Sequence, residues 1–211
     1  MMKFAPEGYP FIIIFAALSG ILFLMGGPGI ALLPLLLTAF MFYFFRDPER
    51  TVPEGRNIFV APADGKIILI KDLLETEHLH KDVKQVSIFM SPFNVHVNRV
   101  PCDGRVKHVQ HVKGKFLAAY KDEASMQNEH IDMVFETRYG DLLLRQVAGF
   151  VARRAVCRKS EGDVLQSGER YGLIKFSSRV DIYLPKDAVI KIRLGDMVRA
   201  GETVLGEIMG G

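Results

Sequence analysis

Two adjacent serines, Ser177 and Ser178, lie inside an apolar alternating run, L-I-K-F-S-S-R-V-D-I-Y-L-P from Leu173 to Pro185. Ile174 and Phe176 before them, and Val180, Ile182 and Leu184 after them, keep a period of two, the pattern of two strand segments with a small polar interruption. A serine hydroxyl beside its own peptide bond can attack the preceding carbonyl when the backbone is strained and a base takes the proton, which turns the amide into an ester. Elimination from that ester leaves a dehydroalanine, which hydrolyses to an N-terminal pyruvoyl group. This is a built-in ketone, able to form a Schiff base with a substrate amine and to draw electrons from it. The plainer reading of the same run is a β-turn with two solvated serines.

Other chemistries find less support. His78-x-His80 and His108-x-x-His111 have ligand-like spacing, but they fall among charged residues of predicted loops and edges. No cysteine or acidic cluster completes a tetrahedral set, so they read as solvated surface and no metal is expected. The two cysteines, Cys102 and Cys157, are far apart and form no C-x-x-C, which fits core thiols in a reducing cytoplasm. No phosphate-cradling glycine loop or dinucleotide fingerprint is present.

The run R-Y-G-L-I-K-F-S-S-R-V-D-I-Y-L-P, Arg170 to Pro185, resembles the processing site of phosphatidylserine decarboxylases, particularly their short bacterial and archaeal form. Four more segments resemble that family in the same order: F-F-R-D-P-E-R at Phe44 to Arg50, A-P-A-D-G-K-I at Ala61 to Ile67, F-M-S-P-F-N-V-H-V-N-R-V-P at Phe89 to Pro101, and Q-V-A-G-F-V-A-R-R-A-V-C at Gln146 to Cys157. The resemblance implies a proenzyme cut between residues 177 and 178, with Ser178 becoming the pyruvoyl cofactor. The products are a large chain, 1–177, and a small one, 178–211, which stay together in one core. It further implies His96 as the base, Asp64 as its orienting or charge partner, and Asn128-Glu129 as a substrate-binding pair. Longer members carry a second histidine three residues beyond the first; here that position is Arg99, whose guanidinium fork suits a substrate carboxylate or phosphate. Asp64-Gly65 also reads as a plain turn pair. One departure is Ser177, which stands where the family usually has glycine.

Composition and patterning supply the elements that must hold these groups. The 211 residues carry a net charge of +3, yet the first forty-five contain only Lys3 and Glu7 as charged groups. That stretch reads as two apolar helices, Phe11 to Met25 and Ile30 to Phe45, broken at Gly26-Gly27-Pro28-Gly29. At about fifteen residues each they cover roughly 22 Å, short of a hydrocarbon core of about 30 Å, so a hairpin dipping into the membrane or two short spans fits better than one straight span. The absence of a small-residue cleavage site argues against a signal peptide. Lys3, Arg46 and Arg50 put both ends on the cytoplasmic side.

From residue 46 on, short β runs at 67–70, 85–90, 106–112, 131–136, 142–147 and 150–156 predict a mainly β (α+β) catalytic domain, with a turn at 138–141 and a helical or irregular stretch at 115–129. Pro62-Ala63-Asp64-Gly65-Lys66-Ile67 echoes Pro101-Cys102-Asp103-Gly104-Arg105-Val106, and Leu194 to Glu202 resembles the G-D-x-V-x-x-G-E turn of lipoyl and biotinyl carrier domains. A barrel-sandwich-like fold of hammerhead strands follows by analogy.

The expected function is decarboxylation of phosphatidylserine to phosphatidylethanolamine at the cytoplasmic face of the cell membrane, by a peripheral or shallowly inserted protein. Its partners are the substrate, the lipid surface and its own cleaved chains; a homo-oligomer is compatible with this. The mild positive charge is too weak a signal for nucleic acid. Rival readings are a pyruvoyl decarboxylase of a soluble amino acid, against which the hairpin argues, and a membrane-tethered hammerhead carrier or adaptor without catalysis.

Overall fold

A computed structural model of the chain describes residues 3–55, 57–115, 127–149, 154–176 and 178–209. Ser177 lies outside the described residues, as does most of the expected helical or irregular stretch. The chain divides into two compact units, Met1–Glu49 and Arg50–Gly211.

The first unit is a helical hairpin. Helix α1, Tyr9–Gly26, and helix α2, Pro28–Phe44, meet at Gly27, whose φ of 81° turns the chain where a side chain would resist. Both helices are apolar all round: Ile13, Leu24 and Met25 on α1 and Leu33, Leu35 and Leu36 on α2 are more than half exposed. The helices run longer than the apolar runs suggested, since Tyr9, Pro10 and Gly26 join α1. At 1.5 Å per residue α1 spans about 27 Å, and the 21 residues from Pro6 to Gly26 are long and apolar enough to cross a membrane. The hydroxyls inside the hairpin are satisfied, Ser19 Oγ donating to the Ala31 carbonyl at 3.0 Å and Thr38 Oγ1 to that of Pro34 at 2.8 Å. Lys3–Phe4 pairs with Arg46–Asp47, which ties the two ends together.

The second unit is antiparallel β, so the protein is mainly β with an N-terminal helical hairpin. Eight strands form one sheet in the order Val164–Leu165, Gly104–Val112, His130–Thr137, Gly140–Ala148, Ser178–Pro185, Lys81–Met90, Gly65–Glu75 and Met197–Val198. Two three-stranded sheets complete it: Ala155–Cys157, Arg170–Ile174 and Val97–Arg99, and Val189–Ile190, Val204–Glu207 and Ile58–Val60. Alternation fills the core with Ile67, Ile88, Phe135, Leu144, Val180 and Ile182. Of the strand expected at 150–156, Ala155–Cys157 is described.

The echo seen in the sequence extends through this whole unit as an internal two-fold repeat. Asp64-Gly65 and Asp103-Gly104 each open a long strand, and a register shift follows at the same place, Ile67/Leu69 and Val106/His108. Each aspartate accepts a backbone N–H at 2.8 Å, Asp64 Oδ1 from Ala200 and Asp103 Oδ1 from Ser167. Those donors sit in matching turns, G-D-V-L-Q-S-G-E at 162–169 and G-D-M-V-R-A-G-E at 195–202. Gly168 and Gly201 have φ of 75° and 74°. The two copies also clasp each other, Val60 N donating to the Pro101 carbonyl and Arg99 N to that of Pro62, both at 2.9 Å.

Gly172 and Gly206 occupy matching positions at the centres of the small sheets. A Cβ on Gly172 would stand 2.1 Å from the Val156 carbonyl oxygen, and one on Gly206 2.8 Å from that of Val189. Backbone cannot yield as a side chain can, so Gly172→Ala is expected to cost about 1–3 kcal/mol and Gly206→Ala less. Thermal melts followed by circular dichroism check the order; equal midpoints for the two variants contradict the packing argument.

Candidate active site

Ser178 opens the central strand of the large sheet, opposite Met90 on one side and Ala148 on the other. It is fully buried, and its alternation with Val180, Ile182 and Leu184 turns its side chain to the core. Its Oγ lies 3.5 Å from Met90 Sδ, a weak acceptor that holds the hydroxyl loosely. Two residues upstream, Phe176 has a φ of 65°. A left-handed backbone costs a bulky residue about 1–3 kcal/mol and concentrates at reactive sites. The expectation of two strand segments flanking the serines holds, with Arg170–Ile174 ending just before them. Ser178 itself is buried, which excludes the solvated-turn reading for it.

His96 reaches this place through strand pairing. Val97 and Asn98 lie opposite Leu173 and Gly172, and the His96 carbonyl accepts the Ile174 N–H at 3.3 Å. His96 therefore stands beside the segment that leads into the serines. Its ring is buried, with Nδ1 3.0 Å from the Asn94 carbonyl oxygen. A carbonyl can only accept, so Nδ1 donates, an arrangement that in the neutral ring leaves the lone pair on Nε2, the tautomer a base requires.

Two residues that the sequence reading did not select, Asn98 and Gln146, complete the surroundings. Asn98 Nδ2 stands 3.7 Å from the same Met90 Sδ, and its Oδ1 accepts from Gln146 Nε2 at 2.8 Å. Gln146 Oε1 is buried without a hydrogen-bond partner among the described residues. In the internal repeat Asn98 matches Phe59, and Phe59 is ordinary core. An amide replaces an aromatic ring only in the copy that faces Ser178. The signal was available, since Asn98 lies two residues past His96 in one alternating run and Gln146 begins a family-like segment.

Asp64 is buried, and its carboxylate is engaged by Arg50 NH2 at 2.8 Å and by the Ala200 N–H. Arg50 also reaches Glu202 Oε2 at 3.1 Å. The Asn94 carbonyl, rather than Asp64, thus orients Nδ1 of His96. Arg99 is buried and donates to the Gly168 carbonyl at 2.9 Å. Asn128 and Glu129 brace the strand beside Ser178: Asn128 Nδ2 donates to the Ala148 carbonyl and the Ala148 N–H donates to the Glu129 carbonyl, at 2.8 and 2.9 Å. The Glu129 side chain meets His111 at 3.2 Å and, with Ile131, Arg154 and Cys157, lines an open groove of about 750 Å³.

The histidines divide. His108 and His111 are exposed and paired with Glu161 and Glu129, as surface residues would be. His78 corrects the solvated reading: it is half-buried with Nε2 2.8 Å from Asp132 Oδ2, in a cluster with Glu77 whose potential ligand atoms lie within 4.8 Å of one another. Arg145 supplies the counter-charge, bonding Glu77 and, through Nε at 2.7 Å and NH2 at 2.8 Å, Asp132. Burial pushes the Cys102 thiol up to about 12 and raises that of Cys157, so neither is a ready nucleophile at neutral pH.

The family model described as phosphatidylserine decarboxylase matches residues 37–206. A protein of Geobacter metallireducens named phosphatidylserine decarboxylase proenzyme is 46% identical over 208 residues, covering 96% of this chain and 95% of its own. Proteins of the same name from Syntrophotalea carbinolica and Geobacter sulfurreducens are each 48% identical, with the same shares covered.

Proposed function

Because the chain belongs to the phosphatidylserine decarboxylase family, we propose that it is a self-cleaving proenzyme that converts phosphatidylserine to phosphatidylethanolamine and CO2. The observation that carries this reading is the placing of Ser178: a buried, loosely held hydroxyl just after a strained backbone and beside a histidine in its basic tautomer. His96 takes the hydroxyl proton as Oγ attacks the carbonyl carbon of residue 177. The C–N bond breaks as His96 passes that proton to the departing nitrogen, leaving an ester; elimination across Cα–Cβ of residue 178 expels the carboxylate of the chain 1–177, and water hydrolyses the resulting dehydroalanine with release of ammonia. The pyruvoyl group left at residue 178 supplies the ketone that binds the substrate amine and withdraws the electrons released with CO2. Gln146 Oε1 offers the substrate ammonium a buried acceptor. Asp64, held by Arg50 and Ala200, opens the strand that pairs with the Met90 strand. Arg99 holds the Gly168 turn, and the groove at Arg154 and Glu129 lies beside the Ala148 edge of the site. The all-apolar hairpin fits attachment at the cytoplasmic membrane face.

The test is release of labelled CO2 from carboxyl-labelled phosphatidylserine in vesicles. Decarboxylation of free amino acids with lipid untouched, or of nothing at all by fully cleaved protein, sinks the reading. Ser177, known here from sequence alone, bears on maturation. Its Cβ restricts a backbone that glycine would leave free, at about 1–3 kcal/mol, and its hydroxyl competes one bond upstream. Ser177→Gly is expected to speed cleavage about tenfold to a hundredfold. Time courses on denaturing gels measure this; identical courses show that the glycine argument is mistaken.

A further inference from the structure

The internal repeat supplies a built-in comparison for one exposed feature. The turns at 160–166 and 193–199 share one backbone. Asp163 and Asp196 each accept a backbone N–H three residues earlier, from Ser160 at 2.9 Å and Arg193 at 2.8 Å. Gly162 and Gly195 have φ of 90° and 95°. Gly162 N and Gly195 N donate to the Val106 and Ile67 carbonyls, both at 2.9 Å. Leu165 and Val198 fill matching core positions.

Their outer surfaces differ. The first turn presents Ser160, Glu161 and Gln166, and Glu161 is paired with His108. The second presents Arg193, Leu194 and Arg199 at those positions, with Leu194 67% and Met197 66% exposed. Lys191 lies just before it, and exposed Lys66 stands opposite Met197. From 191 to 199 there are three basic residues and one acid; Asp196 is occupied in the turn, Lys191 pairs with Glu207 at 2.6 Å, and Arg199, 74% exposed, lies 3.9 Å from Glu202. Since the sister turn folds identically without them, the leucine and the two arginines are not required by the backbone.

We propose that the Arg193–Arg199 turn is a docking surface for an anionic lipid bilayer, with Leu194 and Met197 entering the acyl boundary and the arginines on lipid headgroups. A rigid tip that is apolar at its apex and basic at its flanks has the chemistry of an interfacial anchor, and basic residues are drawn to an anionic leaflet. The turn leads directly to Asp64 and the strand beside that of Met90, for Val198 pairs with Gly65 and the next residue but one, Ala200, donates to Asp64. Docking would thus bring the site to the surface that carries its substrate. This rests on the lipid-decarboxylase reading, and the first arm of its test does not.

The chain has no tryptophan, so Leu194→Trp in the full-length protein gives a single reporter. In vesicles containing phosphatidylglycerol, an anionic lipid that is not the proposed substrate, its emission is expected to shift to the blue and to be quenched by brominated acyl chains. In pure phosphatidylcholine both effects should be much weaker. Emission independent of lipid charge overturns the proposal, as does shielding that appears in detergent and grows with protein concentration, which marks contact between copies.

The second arm grafts the sister turn, Arg193→Ser, Leu194→Glu and Arg199→Gln together. Turnover of phosphatidylserine in vesicles should fall about tenfold, while turnover of a soluble short-chain phosphatidylserine is unchanged. An equal fall on both substrates means that the turn shapes the site, and overturns docking. Inactivity of the parent protein on both lipids would instead count against the decarboxylase reading.

Discussion

Ser178→Ala is expected to leave the protein as one uncut chain of 23.7 kDa that releases no CO2 from phosphatidylserine. Alanine removes the hydroxyl that ends as the new N-terminal group at residue 178, so the loss of cutting at that bond is complete rather than graded. The fold should survive, because the hydroxyl's contact is a 3.5 Å approach to a thioether sulfur, and a methyl group fits a core strand between Met90 and Ala148. Circular dichroism indistinguishable from the parent, with no fragments on a denaturing gel after prolonged incubation, is the expected pair of results. Cleavage of the alanine variant at the same bond would remove Ser178 from the mechanism.

The second large effect belongs to His96 and Asp64. His96→Ala is expected to slow cleavage or turnover by about 10²-fold or more, the usual scale for a positioned proton-transfer group. Since His96 is buried, a stability loss has to be told from a chemical one. Added imidazole should restore part of the rate if the ring acts as a base, and should restore none if the ring only fills space. Asp64→Asn is expected to reach a similar scale, and the internal repeat provides its control. Asp103 makes the same bond to its own turn, 2.8 Å to the Ser167 N–H, but it is exposed, is partnered by Arg138 at 3.9 Å, and opens a strand that pairs with His130–Thr137, whereas the Asp64 strand pairs with the strand of Met90. Asp103→Asn should therefore leave the rate within a few fold of the parent. Equal effects from the two substitutions would make Asp64 a turn brace and nothing more.

Much of this was legible in the residues because local patterns carried it. The period-two runs located the strands, and the unbroken apolar stretches located the hairpin; the helices gained length because Tyr9 and Gly26 are compatible with a helix although they do not extend the apolar run. The Asp-Gly echo was visible, yet its partner turns were read only at 194–202. The sister at 162–169 shares the G-D and G-E spacing and the apolar pair after the aspartate, Val164-Leu165 for Met197-Val198, and differs at Gln166-Ser167 against Arg199-Ala200, so spacing alone would have shown it. His78 looked solvated among charges because its partner, Asp132, lies 54 positions away, beyond the reach of local reading. The orientation of His96 by the Asn94 carbonyl was invisible for another reason: a backbone oxygen has no signature in the sequence.

The central claim is that residue 178 ceases to be a serine. Intact-mass measurement of the purified protein over time, followed by sequencing of the small fragment, tests it most directly. The account predicts slow conversion into two chains, 1–177 and 178–211, the second beginning with a pyruvoyl group that hydrazine or borohydride modifies and that blocks Edman chemistry. Decarboxylation of phosphatidylserine by a preparation in which residue 178 is still an ordinary serine would contradict it.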